Sequence, residues 1–468
     1  METKHFDLVV IGSGPAGEKA AIEASKMRKS TAIVEKRSVQ GGVCIHTGTI
    51  PSKTLRETVM YIAGLRQRSA YGLMGGVKSN VSIRELMYRK EQVIRQELDV
   101  IAQNMARHRI QVVQGLGRLI DSHTVEVVGD NGEVTHLNAE AIVISTGTRP
   151  FRPDYVTFDE KYIYDGESIL NLDELPRTMT IIGGGVIGCE WASIFAHIGV
   201  QITIIDQRPQ LLSFLDREIA DALVYLMRKY RITLMLNDGD KEIRVDPERE
   251  HVVVKTQSGR EVVSDKLLFA AGRVGNTSSL NLEAVGVETK ERGLIKVNNL
   301  YETSVDGIYA VGDVIGFPAL ASVSMDQGRL AAIHAFKEGD TSCINTLLPF
   351  GIYTIPEVSM VGETEEALIG SGQEYEIGIA RYFELARGQI INDHDGMLKL
   401  IFDPKSRRLL GVHIVGERAT ELIHIGQAVM AHGGTLDYFV DTVFNYPTLT
   451  EAYKVAALDG FARLEHRF

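Results

Sequence analysis

The sequence predicts an α/β protein with two doubly wound nucleotide-binding units and a further α+β region. Three observations predict it. A strand-like run closes on Gly12-Ser13-Gly14-Pro15-Ala16-Gly17, then passes through a helix and a second strand to Glu35. The same order recurs at Gly183-Gly184-Gly185-Val186-Ile187-Gly188 and ends in Asp206. In both copies the acid lies eighteen residues past the last motif glycine. One Gly-rich turn is weak evidence, whereas two at matching internal spacing are specific. From about Leu347 onward the strands and helices carry no nucleotide motif.

The first unit opens with Asp7-Leu-Val-Val-Ile11, a continuous apolar run of the kind a buried parallel strand shows. In the motif that follows, Gly12 makes the tight turn, Gly14 lets backbone approach a pyrophosphate and Gly17 lets helix pack on strand. Phosphate would sit at the helix N-terminus, where unpaired N–H groups favour an anion. Helix-forming Glu18 to Lys26 leads to Thr31-Ala-Ile-Val34 and to Glu35, placed to accept from ribose hydroxyls. Pro51 opens a helix with Ser52 and Lys53 in its first turn. Ser82 to Arg109 is polar, with apolar residues at helical spacing, and predicts one or two surface helices. Ile110 to Glu140 alternates like a small antiparallel sheet, with Asp130-Asn131-Gly132 as its hairpin turn. Ala141 to Ser145 reads as another buried strand, closing on Thr146-Gly147.

In the second unit Thr180-Ile-Ile182 enters the glycine motif, a helix runs from Cys189 to Ile198, and Gln201-Ile-Thr-Ile-Ile205 precedes Asp206. Later, Thr303 to Asp313 is a strand closing on Gly312-Asp313, with Ala321 eight residues on. Each glycine unit is Rossmann-like.

Composition limits the function. A chain of 468 residues exceeds one core, so two or three domains are expected. The 44% hydrophobic and 24% charged content is ordinary for a globular chain. No apolar run reaches bilayer length, so no membrane partner is expected. Met-Glu-Thr-Lys-His-Phe-Asp runs straight into the strand at Leu8, so no signal peptide is expected. A formal charge of −11 disfavours nucleic acid, and dispersed acids serve solubility. Cys44, Cys189 and Cys343 are odd in number and widely spaced, which points to a reducing, cytoplasmic setting without a disulfide framework. Neither His-x-x-x-His nor Cys-x-x-Cys spacing occurs, so no metal is expected. His424 and His432 are read as structural, and Cys189, in an apolar helix pattern, as core.

The stretch Gly41-Gly42-Val43-Cys44-Ile45-His46-Thr47-Gly48-Thr49-Ile50-Pro51-Ser52-Lys53 resembles the active-site segment of the pyridine nucleotide-disulfide oxidoreductases. That family carries two cysteines here, five residues apart. In this chain the second position is Thr49. A disulfide needs two sulfurs about 2 Å apart, so the segment cannot alternate between dithiol and disulfide by itself. The family's C-terminal His-Pro-Thr-x-x-Glu reads Tyr446-Pro447-Thr448-Leu449-Thr450-Glu451. A histidine of pKa near 6.5 relays protons at neutral pH, and a tyrosine of pKa near 10 is a poor base. Both halves of the thiol machinery are therefore changed together.

The resemblance covers nearly the whole chain and implies its organisation. Residues 1–150 and 275–346 would form an FAD-binding domain, 151–274 an NAD(P)-binding domain, and 347–468 a dimerisation domain. A homodimer is expected, or a larger homo-oligomer. Within the family the chain is similar to the soluble pyridine nucleotide transhydrogenases, which share a Cys44-to-Thr49 pattern and a Phe444-to-Thr448 ending. Gly351–Glu357 and Glu421–Gln427 also resemble that branch. The implied activity is hydride exchange between NADPH and NAD, ping-pong through flavin N5, with no thiol step.

The resemblance also distributes roles. Gly12, Gly14, Gly17 and Glu35 would hold the adenine half of FAD, continued by Lys36, Gly41, Gly42 and Cys44, with Asp313 on the ribityl chain. Thr49, Gly115, Thr146, Gly147, Gly272 and Ala321 join the cofactor-binding set. Gly183, Gly185 and Gly188 would take the nicotinamide dinucleotide. Lys53 matches a lysine near flavin N5, and Glu190 matches its glutamate partner. A cation there favours the charge that develops on hydride transfer. The plain alternative is a helix-surface lysine and glutamate that do not meet. Tyr446 and Glu451 complete the candidate catalytic set. Cys44 is either a bystander thiol, the preferred reading, or a residual nucleophile with a pKa lowered by a helix start.

Coenzyme choice stays open. Asp206 favours a free 2′-hydroxyl and hence NAD. Arg208 offers a partner for a 2′-phosphate. Asp206 alone keeps an NADH-dependent diaphorase or oxidase in play. A third reading, a flavin-bearing partner in a larger assembly, ranks last because no interaction tail is evident.

Overall fold

The computed structural model describes residues 2–66, 82–337, 339–344 and 346–465. They form two compact units: Met1–Leu55, Arg84–Phe151 and Gly272–Asn345, and separately Arg56–Ile83, Arg152–Ala271 and Thr346–Phe468.

The first unit is built on a sheet whose strand order is Gln111–Gln114, Thr31–Glu35, Glu2–Ile11, Val134–Ile144, Thr124–Val128 and Leu116–Leu119. The short strand Ile308–Ala310 also pairs with Val134–Ile144, in parallel. Glu2–Ile11 lies parallel to both neighbours, with Val10 opposite Ile33 and Val143. Side chains alternate faces along a strand. Leu8, Val10 and Ile33 therefore join one core with Ala20 and Ala24 of the helix Pro15–Lys26. Val9, Ile11, Ala32 and Val34 join a second with Leu119, Val125 and Leu137. Two buried faces explain the unbroken apolar run. Each aliphatic side chain buried this way contributes about 1.5–3 kcal/mol. A one-residue slip would exchange the two sets, so register is strongly fixed.

The region 110–140 matches the expected small antiparallel sheet only in part. Gln111–Gln114 is a parallel edge strand beside Thr31–Glu35. The remaining two strands extend the main sheet, because Val134–Ile144 is a single long strand. Its first half pairs antiparallel with Thr124–Val128 and its length pairs parallel with Glu2–Ile11. Alternation reported the antiparallel half, and the apolar run Ala141–Ile144 belongs to the same strand. The turn falls at Gly129–Gly132, where Gly132 N–H donates to Gly129 O at 2.9 Å. The polar stretch after Ser82 forms one helix, Ile83–Arg107, whose Ile101 and Met105 reach the first core. The helix Ala321–Phe336 crosses Pro15–Lys26 at Gly328, where a side chain would run into the carbonyl of Ala16.

The second unit holds a five-stranded parallel sheet in the order Thr233–Leu236, Gln201–Asp206, Thr178–Ile182, Lys266–Phe269, Ile163–Asp165. A three-stranded antiparallel sheet, Asp240–Asp246, His251–Thr256 and Glu261–Ser264, packs beside it through Val252 and Val254. The C-terminal region is an antiparallel sheet, in the order Phe350–Ile352, Val358–Gly362, Leu409–Val415, Met397–Phe402, Glu376–Arg381. Helices Ala419–Ala431 and Glu451–Glu465 share its core, in which Phe439 stacks on Tyr453 at 4.9 Å.

A buried ion cluster fastens this sheet to the helix Arg217–Lys229. Lys399, with no exposed surface, pairs with Asp216 Oδ1 at 2.9 Å, with Glu218 at 3.1 Å and with Glu365. Asp216 also caps that helix by accepting from Glu218 N–H. No helix among the described residues is long and apolar enough to cross a membrane.

Candidate functional site: two glycine loops and their surroundings

The first loop sits in the first unit. Gly12 has φ +106°, and a Cβ there would lie 2.6 Å from Ser145 O. A Cβ at Gly17 would run into Gly12 O. Gly14 precedes the helix Pro15–Lys26, whose start has no side-chain cap. The backbone of Gly42 crosses there so closely that a Cβ on it would lie 2.8 Å from Gly14 Cα. Uncapped amides on a side-chain-free surface suit a phosphate.

Glu35 is buried beside this loop. Its Oε2 accepts from Ser13 N–H at 3.1 Å and from Ser13 Oγ at 2.5 Å, and its Oε1 from Arg37 N–H at 2.9 Å. Gly115 N–H donates to Glu35 O, and Lys36 is exposed just beyond. Gly41, at φ +106°, donates to Ser13 O and starts the short helix Gly42–His46.

That helix carries Cys44, a free thiol. Burial pushes the thiol pKa up, and Asp313 and Glu97 add to this, against the pull of Thr49 and Lys53. The expected lowering by a helix start is thus outweighed. Cys44 is a protonated thiol at neutral pH, in line with the bystander reading. The helix that carries Lys53 runs Thr49–Arg66, so it starts two residues before the expected Pro51 and Lys53 is its fifth residue, just past the first turn.

Asp313 lies in a short turn of 3₁₀ helix, Gly312–Ile315, anchored by Gly312 N–H donating to Gln327 Oε1 at 2.7 Å. Its carboxyl is ringed by protein yet keeps part of its surface accessible. Desolvation raises its pKa, opposed by Arg273 and a hydrogen bond from Thr148. Ala321 begins another helix without a side-chain cap, and a Cβ on Gly312 would lie 3.2 Å from Ala16. Thr146 and Gly147 follow the strand Val134–Ile144, Gly147 at φ +66°. The hydroxyls of Thr146 and Thr47 are buried with no hydrogen-bond partner. Buried polar atoms are normally satisfied. Orphaned hydroxyls, a partly accessible carboxylate and two uncapped helix starts fit a ligand carrying phosphates and a polyol. FAD has that chemistry, and the residues present suit it.

The second loop, in the second unit, repeats the first. Gly183 has φ +105°, and its Cβ would lie 2.7 Å from Ala270 O. A Cβ at Gly188 would run into Gly183 O. Gly185 precedes the helix Val186–His197, again without a side-chain cap. The acid differs in its company. Asp206 Oδ2 accepts from Gly184 N–H at 2.5 Å and from Arg208 Nη2 at 2.6 Å, while Oδ1 accepts from Arg208 Nε at 2.9 Å. Burial would raise the Asp206 pKa, but the Arg208 fork and these amides hold it below the usual carboxylate range. Glu190 is buried on the Val186–His197 helix and its Oε1 accepts from Tyr353 N–H at 2.9 Å. One turn on, Ser193 Oγ accepts from Ile355 N–H at 3.1 Å. Cys189 is wholly buried, and desolvation drives its thiol pKa far up, as a core cysteine requires.

Tyr446 is 74% exposed. Glu451 opens the last helix and accepts from Thr448 N–H at 3.3 Å, so its carboxylate steadies the preceding turn. Gly272, at φ +119°, lies beside the guanidinium of Arg292.

Sequence reasoning missed Ser13, Thr148, Glu97 and Arg273. Ser13 lies inside the glycine motif, so its hydroxyl was a readable signal. Arg273 and Thr148 meet across 125 positions, and no local pattern links them.

The chain is similar to known proteins along nearly its full length. Residues 6–328 match the profile of the pyridine nucleotide-disulphide oxidoreductase family, and 348–457 match that family's dimerisation domain. A Mycobacterium bovis protein named soluble pyridine nucleotide transhydrogenase is 49% identical over 458 residues, 97% of each chain. One of the same name from Pseudomonas aeruginosa is 44% identical, covering 99% of this chain and 100% of its own. The solved Cu(II) complex of the HOCl-induced flavoprotein disulfide reductase RclA from Escherichia coli superposes with a TM-score of 0.88 at 29% identity, covering 97% of this chain and 99% of its own.

Proposed function

The chain belongs to the pyridine nucleotide-disulphide oxidoreductase family, and on that premise we propose that it exchanges hydride between NADPH and NAD without a redox-active disulfide. The observation that carries this reading is that Cys44 is a free thiol and that the position five residues on, where the family's relay needs a second sulfur, is Thr49, which offers only a hydroxyl. Near-full-length similarity to proteins named transhydrogenases supports it.

When bound, FAD supplies the two-electron centre that takes hydride from one dinucleotide and gives it to another. The protein's part is to hold, orient and polarise. Residues 1–150 and 275–346 are assigned to FAD. Gly12, Gly14, Gly17 and Gly42 leave the backbone bare for a pyrophosphate, Glu35 takes ribose hydroxyls and Asp313 a ribityl hydroxyl. Residues 151–274 are assigned to the nicotinamide dinucleotide, with Gly183, Gly185 and Gly188 against its phosphates. One such loop serves both coenzymes in turn, so the first product leaves before the second substrate enters. Lys53 is assigned to stabilise the negative charge that develops on hydride transfer, and Glu190 to orient the nicotinamide end. The Asp206–Arg208 pair gives each coenzyme a partner. A 2′-hydroxyl donates to the carboxylate, and a 2′-phosphate takes the guanidinium.

Residues 347–468 are assigned to a homodimer interface in a cytoplasmic enzyme. Exposed Val443 and Tyr446, at 90% and 74%, support a covered face there. Tyr446 and Glu451 are assigned to a neighbouring copy's site.

A second reading, an NADH-dependent diaphorase or oxidase, draws on Asp206, an acid that favours NAD. Purified protein mixed with NADPH and a thio-analogue of NAD distinguishes the two. Hydride appearing on the analogue is expected. Fast dye or oxygen reduction with no transfer between nucleotides would favour the second reading.

A further inference from the structure

We propose that Arg273 is a positioning residue for the flavin, acting through Thr148 to keep Asp313 an ionised acceptor for a ribityl hydroxyl. The inference rests on the FAD reading above. Its basis is a short antiparallel ribbon, Thr148–Pro150 against Arg273–Gly275, with Gly275 opposite Thr148. Arg273 grips Thr148 twice. Its Nε donates to Thr148 Oγ1 at 2.7 Å and its Nη2 to Thr148 O at 2.8 Å. A hydroxyl that accepts from a guanidinium has its own proton left to give. Asp313 Oδ2 lies 3.4 Å from that hydroxyl, a long bond that leaves the carboxylate acceptor capacity. Thr148 is 5% exposed, so the link is shielded from water.

Arg273 faces Asp313 from the ribbon, and Cys44 lies within electrostatic reach on the helix Gly42–His46. Glu97 and Lys53 act on that thiol from two further helices. Gln327 is occupied with Gly312 N–H. Arg149 turns its guanidinium to Gly275 O and Asn276 Oδ1. Among the described residues, Arg273 is a cation set against the desolvation of Asp313. Without it the desolvation of the carboxyl would go unopposed by that charge and its pKa would rise further. A protonated Asp313 accepts more weakly, and FAD affinity would fall with pH where the native protein holds steady.

The test measures FAD affinity of reconstituted apoprotein by quenching of flavin fluorescence, from about pH 6 to about pH 9, alongside circular dichroism. The native protein and Arg273→Lys should give flat profiles. Arg273→Met should bind roughly tenfold more weakly near pH 6 and recover toward pH 9. Asp313→Asn should be weak and flat. A profile for Arg273→Met that parallels the native one, or weakness at every pH that lysine fails to rescue, would overturn the proposal. Thr148→Val, which removes the hydroxyl and keeps the shape, decides the matter should the methionine variant not fold. A pH-dependent loss of about threefold supports the link, and a flat native profile refutes it. A native protein that binds no FAD at any pH would refute the flavin reading itself, a result distinct from all of these.

Discussion

The two glycine loops share a backbone and differ in their acids. Gly12 and Gly183 have φ of +106° and +105°, and each is pressed against a neighbouring strand's carbonyl. Gly17 and Gly188 are each closed against the first glycine of their own motif. The departure comes eighteen residues on. Glu35 is fixed by Ser13 and a backbone amide, with no side-chain cation paired to it among the described residues. Asp206 is fixed by a guanidinium that is 48% exposed. One loop is built around a neutral clamp and the other around an exchangeable ion pair. On the proposed reading, the first loop serves a resident flavin and the second takes dinucleotides with and without a 2′-phosphate.

The comparison breaks most sharply at the third glycine. Gly17→Val should abolish flavin retention, because the new side chain meets backbone oxygen; a loss of about 3 kcal/mol or more of stability is expected. Gly188→Val should leave flavin bound and remove reduction by NADPH. Absorbance of the purified variants and stopped-flow reduction separate the two. A Gly188→Val protein that is still reduced at the native rate would mean the second loop does not take the coenzyme.

The acids come next. Asp206→Ala should weaken NAD use by roughly tenfold and spare or improve NADPH use. Arg208→Ala should raise KM for NADPH by roughly tenfold, with a smaller effect on NAD. Unchanged NAD kinetics in the first variant would sink the ribose assignment. Acid should also matter: the folded Asp206 pKa lies below its unfolded value, so the stability it adds is full above about pH 4 and fades as pH falls through the lowered value.

Smaller effects are expected at the sulfur. Thr49→Cys puts a second thiol where the Cys44 partner stands, and oxidation should then remove two titratable thiols. Turnover of lipoamide should stay negligible, since Tyr446 replaces the family's base. Cys44→Ser should change transhydrogenation by less than about twofold. Burial raises the Cys44 pKa, so alkylation of the native thiol should climb only above about pH 8.5, the range of a free cysteine. Rapid alkylation at neutral pH would return it to the list of nucleophiles.

Local chemistry made part of this readable in advance. Both loops, Glu35 and Asp206 were legible because a tight turn, a bare backbone and a helix start demand glycines at fixed steps. The strand Glu2–Ile11 was legible from its two buried faces. The edge strand Gln111–Gln114 was not, since a four-residue strand has the same alternation in either sheet direction. The grip of Arg273 on Thr148 was hidden for a different reason. It depends on a ribbon closed by two distant segments, and charge placement across such a ribbon leaves no periodic trace.

The crossing of Gly328 over Ala16 sets a timetable for synthesis. The helix Pro15–Lys26 leaves the ribosome early, and the segment that covers it follows about three hundred residues later. At bacterial or eukaryotic elongation speeds that gap lasts roughly 15–60 s. For that interval Ala20, Ala21 and Ala24, which share one core with Ala331 and Ala332, wait for the last side chains that complete it.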